Sequence, residues 1–347
     1  MRVAVIGGGL AGLVAALDLT EGGFDVVVLE AGDRYGGQIR TTRDRGFLIE
    51  EGADGFDPNA SPAFLGLIRD LRLDGEIIAP DRLPELILDP DGLHQAGVPA
   101  AIAPVATLRG GMASVVLALT RRLGRHVDLR IGNSAVAVTR TRPGWTVYPE
   151  LGAALVVDAV VLAVPPRPAA WLVHPLSPDA AHALSALGTR PLVTVTAAYP
   201  RATVRHPLTA AGFSVAREPA GDGLDHCLFS SSVFRGRAPG DWVLLRTVMR
   251  PGRGEFVGIM DEGWADAVHH LLSPTLGITD LPAGAWVARW ADAIPLTDEH
   301  YETRVAEART ALRALGRIEL AASPFEGHGI EGALLSGRAA ARRLLAT

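Results

Sequence analysis

The chain is predicted to be α/β, a Rossmann-type domain interleaved with a second domain built on a largely antiparallel sheet. Three observations predict this. The N-terminus spells a strand, a glycine-rich turn, an apolar helix and a second strand. Residues 190–255 hold β-branched and aromatic runs broken by Pro and Gly. The C-terminus is a glycine-rich turn running into an Ala/Leu/Arg helix.

The first unit reads in order. Val3 to Ile6 is a short buried strand, Leu13 to Leu19 an apolar helical run, and Val26 to Leu29 a second strand. Between the first two, Gly7, Gly9 and Gly12 give G-x-G-x-x-G. Gly7 allows the strand-to-helix turn, Gly9 lets backbone approach a pyrophosphate, and Gly12 lets helix pack on strand. The helix start, with Leu10 and Ala11, supplies unpaired N–H groups and partial positive charge for phosphates. Glu30 ends the second strand, where a carboxylate can accept from ribose hydroxyls and disfavours a 2′-phosphate, hence NADP.

The segments that follow distinguish the dinucleotide. EAGDRYGGQIRT, Glu30 to Thr41, and GFLIEEGADGF, Gly46 to Phe56, are followed far along the chain by PFEGHGIEGALLSGRAAARRLL, Pro324 to Leu345. Together they resemble the flavin motifs of the flavin amine oxidase and protoporphyrinogen oxidase superfamily. The resemblance implies a Rossmann-type FAD-binding domain with an interleaved substrate domain, and FAD held without a covalent bond. It carries cofactor-binding roles onto Ala31, Arg34, Gly36 and Gly37, onto Gly52, Ala53 and Asp54, and onto His328, Gly329 and Ile330. Arg34 and the glycine pair are expected to close over the dinucleotide. Gly327, Gly329 and Gly332 free the last turn, whose helix is expected to face the pyrimidine side of the flavin.

Composition narrows the class. The 347 residues are 48% apolar, with net charge −5 and pI about 6.1. No basic patch suggests nucleic acid. No apolar stretch has transmembrane length, and the start reads as a strand rather than a signal peptide, so no stable membrane association and a cytoplasmic location are expected. The single cysteine, Cys227, allows no intrachain disulfide and no cysteine-based metal site, and no metal is expected. The adjacent His269 and His270 point to different helix faces. All 33 basic residues are arginine. Many amine oxidases of the superfamily place a lysine near flavin N5 through a water, which this chain cannot do.

Further elements follow. A helix is expected around Pro62 to Leu71. Residues 81–106 read as a short connection rich in Pro, Asp and Gly. Thr107 to Leu119 contains Gly110-Gly111-Met112 opening a helix. Asp128 to Pro149 alternates as strands, with Val136 and Val138 where relatives hold adenine through backbone. Asp158 to Pro166 is a buried strand returning to the first sheet. LVTVTAAYP, GFSVARE, HCLFSSSVF and DWVLLRTVM are predicted strands, and Glu262 to Leu272 a helix. ARWADAIPL, Ala288 to Leu296, leads back to the first domain. The expected division is 1–80, 107–165 and 290–347 for the FAD-binding domain and 166–289 for the substrate domain.

Tyr199-Pro200, Gly212 to Val215, Phe234 to Pro239, Val243 to Arg246 and Arg289 to Pro295 resemble the protoporphyrinogen and coproporphyrinogen oxidase branch. Trp290 of the last motif carries over as a cofactor-binding residue. Departures are specific. Members of that branch carry a long helical region that covers the substrate and, in some, docks on lipid. Here only Pro80 to Arg109 fills the interval. The residues expected as Gln, Gly-His and Pro are Leu296, Glu299-His300 and Glu331. A trimmed substrate lobe on an intact cofactor lobe implies a changed small-molecule substrate. It also implies an open flavin face, or one covered by a homodimer mate or a partner protein. The expected function is an FAD-dependent oxidoreductase passing hydride to flavin N5 from a specialised metabolite. The alternatives are a porphyrinogen oxidase with a reduced lid and a catalytically inactive flavin-binding partner. His328, Glu331 and Glu51 are the ionisable residues beside the flavin motifs, and none is assigned a catalytic role.

Overall fold

The structure is a computed structural model and describes residues 1–97, 102–142, 144–216 and 223–346. Runs of Val, Ile and Leu with no polar alternation need burial on both faces, which a parallel sheet between helices provides. Three such segments form the centre of a five-stranded sheet, in the order Ile318–Leu320, Ala159–Leu162, Arg2–Ile6, Asp25–Leu29 and Asp128–Arg130, the two edge strands carrying charged residues. Every neighbouring pair is parallel. The helices Leu10–Glu21 and Gly329–Leu345 cover one face. They cross closely, since a Cβ on Gly337 would lie 2.3 Å from the Ala11 carbonyl oxygen. The helices Pro166–Val173, Pro178–Ser185 and Tyr301–Leu315 cover the other face, with the three-stranded sheet of Ala135–Arg140, Trp145–Pro149 and Leu155–Val157 beside them.

A second, seven-stranded sheet runs Gly284–Pro295, Thr189–Pro200, Trp242–Arg250, Gly223–Leu228, Gly212–Val215, Glu85–Asp89, Gly92–Gln95. All its pairs are antiparallel except Gly212–Val215 on Glu85–Asp89. One face packs on the helix Asp261–Leu276 through Trp264, Val268, Leu272 and Leu276. The other faces the loop after Phe47–Glu50, to which Thr194 donates at the Glu51 carbonyl.

Three expectations change. Residues 81–106 are more than a connection: Glu85–Asp89 and Gly92–Gln95 form a hairpin that extends the second sheet, turned by Asp89 accepting the Asp91 N–H at 2.9 Å. Residues 98–101 of that stretch lie outside the described residues. The boundary at 289/290 falls inside a continuous edge strand, whose Trp290 and Ile294 still pair with Leu192 and Arg190. HCLFSSSVF ends as a strand at Leu228, because Ser230–Val233 coil into a helical turn whose Ser231 hydroxyl accepts the Leu244 N–H. Among the described residues no helix is long and apolar enough to cross a membrane.

Candidate functional site

The N-terminal glycines differ in what confines them. Gly7 has φ +109°, and a Cβ there would lie 2.2 Å from the Ala163 carbonyl oxygen. A Cβ on Gly12 would lie 2.0 Å from the Gly7 oxygen. Those two positions are glycine because the helix is pressed against two strand ends. Gly9 instead faces space: its nearest neighbour would be the Gly37 Cα at 3.9 Å. No side chain caps the helix that begins at Leu10, so its first N–H groups are directed toward that space. The Gly36 N–H donates to the Gly8 oxygen at 2.8 Å and seats the second glycine pair opposite the first.

From this gap a trough runs both ways. One arm, about 520 Å³, is lined by Glu30, Ala31, Val136, Pro168 and Trp171. The other, about 220 Å³, is lined by Leu10, Ala11, Gln38, Ala53, Gly329 and Ile330. Gly9, Gly37, Ala163, Val164 and Pro165 line both arms, so the two adjoin there. Glu30 is already engaged: its two oxygens accept the Gly8 and Gly32 N–H groups, each at 2.7 Å. Each carboxylate oxygen keeps a second acceptor site.

Of the predicted residues, Gly12, Arg34, Gly52, Asp54, Trp290 and His328 do not line the trough. Arg34 donates to the carbonyls of Tyr35, Gly37 and Ile39 at 3.2, 2.7 and 3.0 Å. It therefore braces the glycine-pair loop from outside rather than closing over the trough. Gly52 packs on Gln38, whose oxygen a Cβ would meet at 1.9 Å. Trp290 donates from Nε1 to the Glu51 carbonyl at 3.0 Å. His328 is exposed, at the N-cap of the last helix.

The ionisable residues beside the motifs are also spoken for. Glu51 is buried and paired with Arg40 at 2.8 Å, and it accepts from the Thr42 hydroxyl. Glu331 is half-buried and does not line the trough. It caps the helix Pro62–Asp70 by accepting the N–H groups of Ala63 and Phe64. Asp54 pairs with Arg246 at 3.2 Å. Arg246 also donates to the Glu50 and Gly52 carbonyls. His269 meets the Tyr199 hydroxyl at 3.2 Å, while His270 lies 2.7 Å from the Asp266 carbonyl. Among the described residues no group of three or more His, Cys, Asp or Glu could hold a metal ion.

Sequence reasoning missed a polar cluster at the far end of the trough. Gln38 donates to the Asp292 carbonyl at 3.0 Å, and the Thr189 hydroxyl donates to the Asp292 carboxylate. All three line the cavity, as does Ser323. The one local signal was Asp292 within the Arg289 to Pro295 motif. Away from the trough, beside Asp54, Arg237 and Arg246, burial pushes the Glu50 carboxyl up to about 7, against the opposing pull of Arg237, Thr41 and the Met112 N–H.

A family model described as flavin containing amine oxidoreductase matches residues 10–94 and 84–345. Coproporphyrinogen III oxidase of Propionibacterium freudenreichii subsp. freudenreichii is 28% identical over 247 residues, covering 71% of this chain and 46% of that protein. The chloroplastic protoporphyrinogen oxidase of Oryza sativa subsp. japonica is 28% identical over 249 residues, 67% of this chain and 43% of that protein. The chain thus spans less than half the length of these relatives. A crystal structure from Exiguobacterium sp. 255-15, provisionally assigned as a protoporphyrinogen oxidase, superposes with TM-score 0.89 at 20% identity, covering 99% of this chain and 98% of that one. Putrescine oxidase bound to putrescine gives 0.76 at 16%, covering 100% of each. At these identities the structural likeness is one of fold.

Proposed function

Because the chain belongs to the flavin containing amine oxidoreductase family, we propose that it is an FAD-dependent oxidoreductase acting on a small organic substrate. One observation carries this reading: two adjoining arms, one lined by Glu30 and Val136 and the other by Gly329, share Gly9 and Gly37 in their lining. Its shape suits a dinucleotide. Glu30 would accept from ribose hydroxyls, the backbone around Val136 would border adenine, and the uncapped N–H groups at Leu10 and Ala11 would meet the pyrophosphate. Arg34 holds the Gly36–Gly37 loop in place from behind. When bound, FAD supplies a two-electron acceptor for hydride.

The cofactor is held without a covalent bond to cysteine. Cys227 is fully buried in the core of the second sheet, where burial pushes its thiol far up, and it cannot reach the trough. Acid precipitation of the purified protein tests both points. Flavin released into the supernatant and identified as FAD is the expected result. Flavin remaining on the polypeptide, or flavin other than FAD, overturns it.

The proposed substrate is a specialised metabolite rather than a porphyrinogen. Support comes from the Pro80 to Arg109 interval, which lays a hairpin on the sheet where the resembling oxidases carry a helical cover. Anaerobic mixing with amines, amino acids and porphyrinogens, followed by flavin absorbance, tests the activity. Bleaching by at least one is expected, and bleaching by none counts against the oxidoreductase reading.

A further inference from the structure

Beyond the trough lies a polar cleft of about 550 Å³. It lies near the trough along the chain: Ala53, Ala293 and Pro295 line the trough, and their chain neighbours Asp54 and Ile294 line the cleft. Its floor is the face of the seven-stranded sheet turned away from the helix Asp261–Leu276. Strand alternation decides what stands there. On Trp242–Arg250, Val243, Leu245 and Met249 enter the core, while Arg246, Val248 and Arg250 face the cleft.

On Gly223–Leu228 the alternation breaks. Leu224 pairs with Met249 and His226 with Val248, which leaves Asp225 without a partner across the ladder. That extra residue makes a bulge, and a bulge re-aims side chains. Leu224 and Cys227 keep their places in the core, and Asp225 and His226 both reach the cleft. Adjacent strand residues would otherwise point to opposite faces. His226 Nδ1 lies 3.0 Å from Asp225 Oδ2, and Arg250 donates to Asp225 Oδ1 at 2.8 Å. Burial works to raise the Asp225 carboxyl, but the hydrogen bond and charge of His226 and the charge of Arg250 outweigh it, and the carboxyl sits below its ordinary range. An ionised Asp225 holds the imidazole proton on Nδ1 and leaves Nε2 as an acceptor.

The titratable groups lining the cleft are Asp54, Asp225, His226, Arg246 and Arg250. Arg246 is committed to Asp54 and two carbonyls, and Arg250 has no acceptor to offer. Asp54 and Asp225 are each paired with an arginine. We propose that His226, oriented by Asp225, is the group that takes the substrate's proton. This rests on the oxidoreductase reading above. In a substrate H–C–X–H, where X is N, O or C, the C–H bond breaks and gives hydride to FAD. The X–H bond gives its proton to His226 Nε2, and the C–X bond becomes C=X. Bound FAD would supply the acceptor for the two electrons lost by the substrate.

Two measurements test the role. Histidine-selective 15N NMR of the flavin-loaded protein reads the tautomer directly, and His226→Gln assigns the His226 signals among the ten histidines. Neutral His226 is expected to carry its proton on Nδ1 in the parent and to lose that preference in Asp225→Asn. A proton on Nε2 in the parent overturns the proposal. The second measurement uses whichever compound of the panel above bleaches the flavin. His226→Gln is expected to slow reduction roughly 10²–10⁴-fold, with FAD content and KM little changed. His226→Ala is expected to recover part of the rate on addition of imidazole, which a merely structural histidine would not. Unchanged reduction in His226→Gln, or loss without imidazole recovery, overturns the base while leaving the oxidoreductase reading intact. If no compound bleaches the parent, that reading fails and the base falls with it.

Discussion

Glu331 accepts the backbone N–H of Phe64 at 2.8 Å, and its other oxygen accepts that of Ala63 at 2.9 Å. One side chain in the first turn of the last helix thereby caps the helix Pro62–Asp70, whose own N-cap, Ser61, makes no side-chain bond. It also lies within the helix N-terminal field of Gly329–Leu345. Glu331→Ala should destabilise the protein by about 1–2 kcal/mol, the range for loss of a cap. FAD content should be retained, because Glu331 does not line the trough. Urea unfolding beside flavin absorbance checks this. Unchanged stability with lost flavin would reverse the assignment.

Glu50 sets a second expectation. Its carboxyl is raised from 4.5 to about 7, chiefly by burial. The native protein therefore keeps a proton between pH 4.5 and 7 that the unfolded chain has released. The resulting stability is present below pH 4.5 and is lost as pH rises to about 7. Glu50→Gln removes this dependence. Its stability relative to the parent should improve from pH 5 to pH 8, by on the order of 3 kcal/mol at most. A difference that stays flat across that range would show that Glu50 ionises as easily in the fold as outside it.

Much of this was legible in local sequence, and the reason is physical. Gly12 is specified by the Gly7 oxygen within one strand–turn–helix unit, so its spacing announces it, whereas Gly7 is confined by the distant Ala163 carbonyl and shows itself only through the motif it shares with Gly12. The continuous apolar runs Val3 to Ile6, Val26 to Leu29 and Val160 to Leu162 announce strands buried on both faces. What depends on distant pairing was not legible. Gln38, Thr189 and Asp292 meet only because an edge strand lies beside Thr189–Pro200. The bulge at Asp225 is a register event between two strands, and His226 alone carries no mark of it. The capping role of Glu331 left no local sign because its partners are 267 and 268 residues away along the chain. Arg34 matched its motif, yet its guanidinium serves the loop's own carbonyls.

The trough gives paired predictions for the cofactor. Gly9→Val should abolish flavin content, since its side chain would occupy the gap between Gly9 and Gly37 while the fold, unconstrained there, survives. Glu30→Ala should weaken FAD by about 1.5–3 kcal/mol for each charge-assisted bond lost, or roughly 10–100-fold in affinity. Part of that loss comes from freeing the Gly8 and Gly32 N–H groups. Flavin content on purification and titration of the apoprotein measure both. A full complement in folded Gly9→Val protein would remove the pyrophosphate from this gap.

Porphyrinogens should be poor substrates. Their rings gain affinity by burying both faces, at roughly 25 cal/mol per Å² of apolar surface removed from water. The seven-stranded sheet offers one wall through Leu192, Val248 and Ile294. The described part of the Pro80 to Arg109 interval forms a hairpin at the far edge of that sheet and a short strand at Thr107–Leu108, and its contribution to the cleft lining is Ile102. A ring held on one face would seldom bring its reacting carbon to within the roughly 3–3.5 Å that hydride transfer requires. Anaerobic mixing with protoporphyrinogen and coproporphyrinogen, followed at the oxidised flavin band, should show bleaching well below roughly 1 per second. Bleaching at or above that rate with either compound would mean that a second wall forms in solution. The changed-substrate reading would then give way to a porphyrinogen oxidase with a reduced lid.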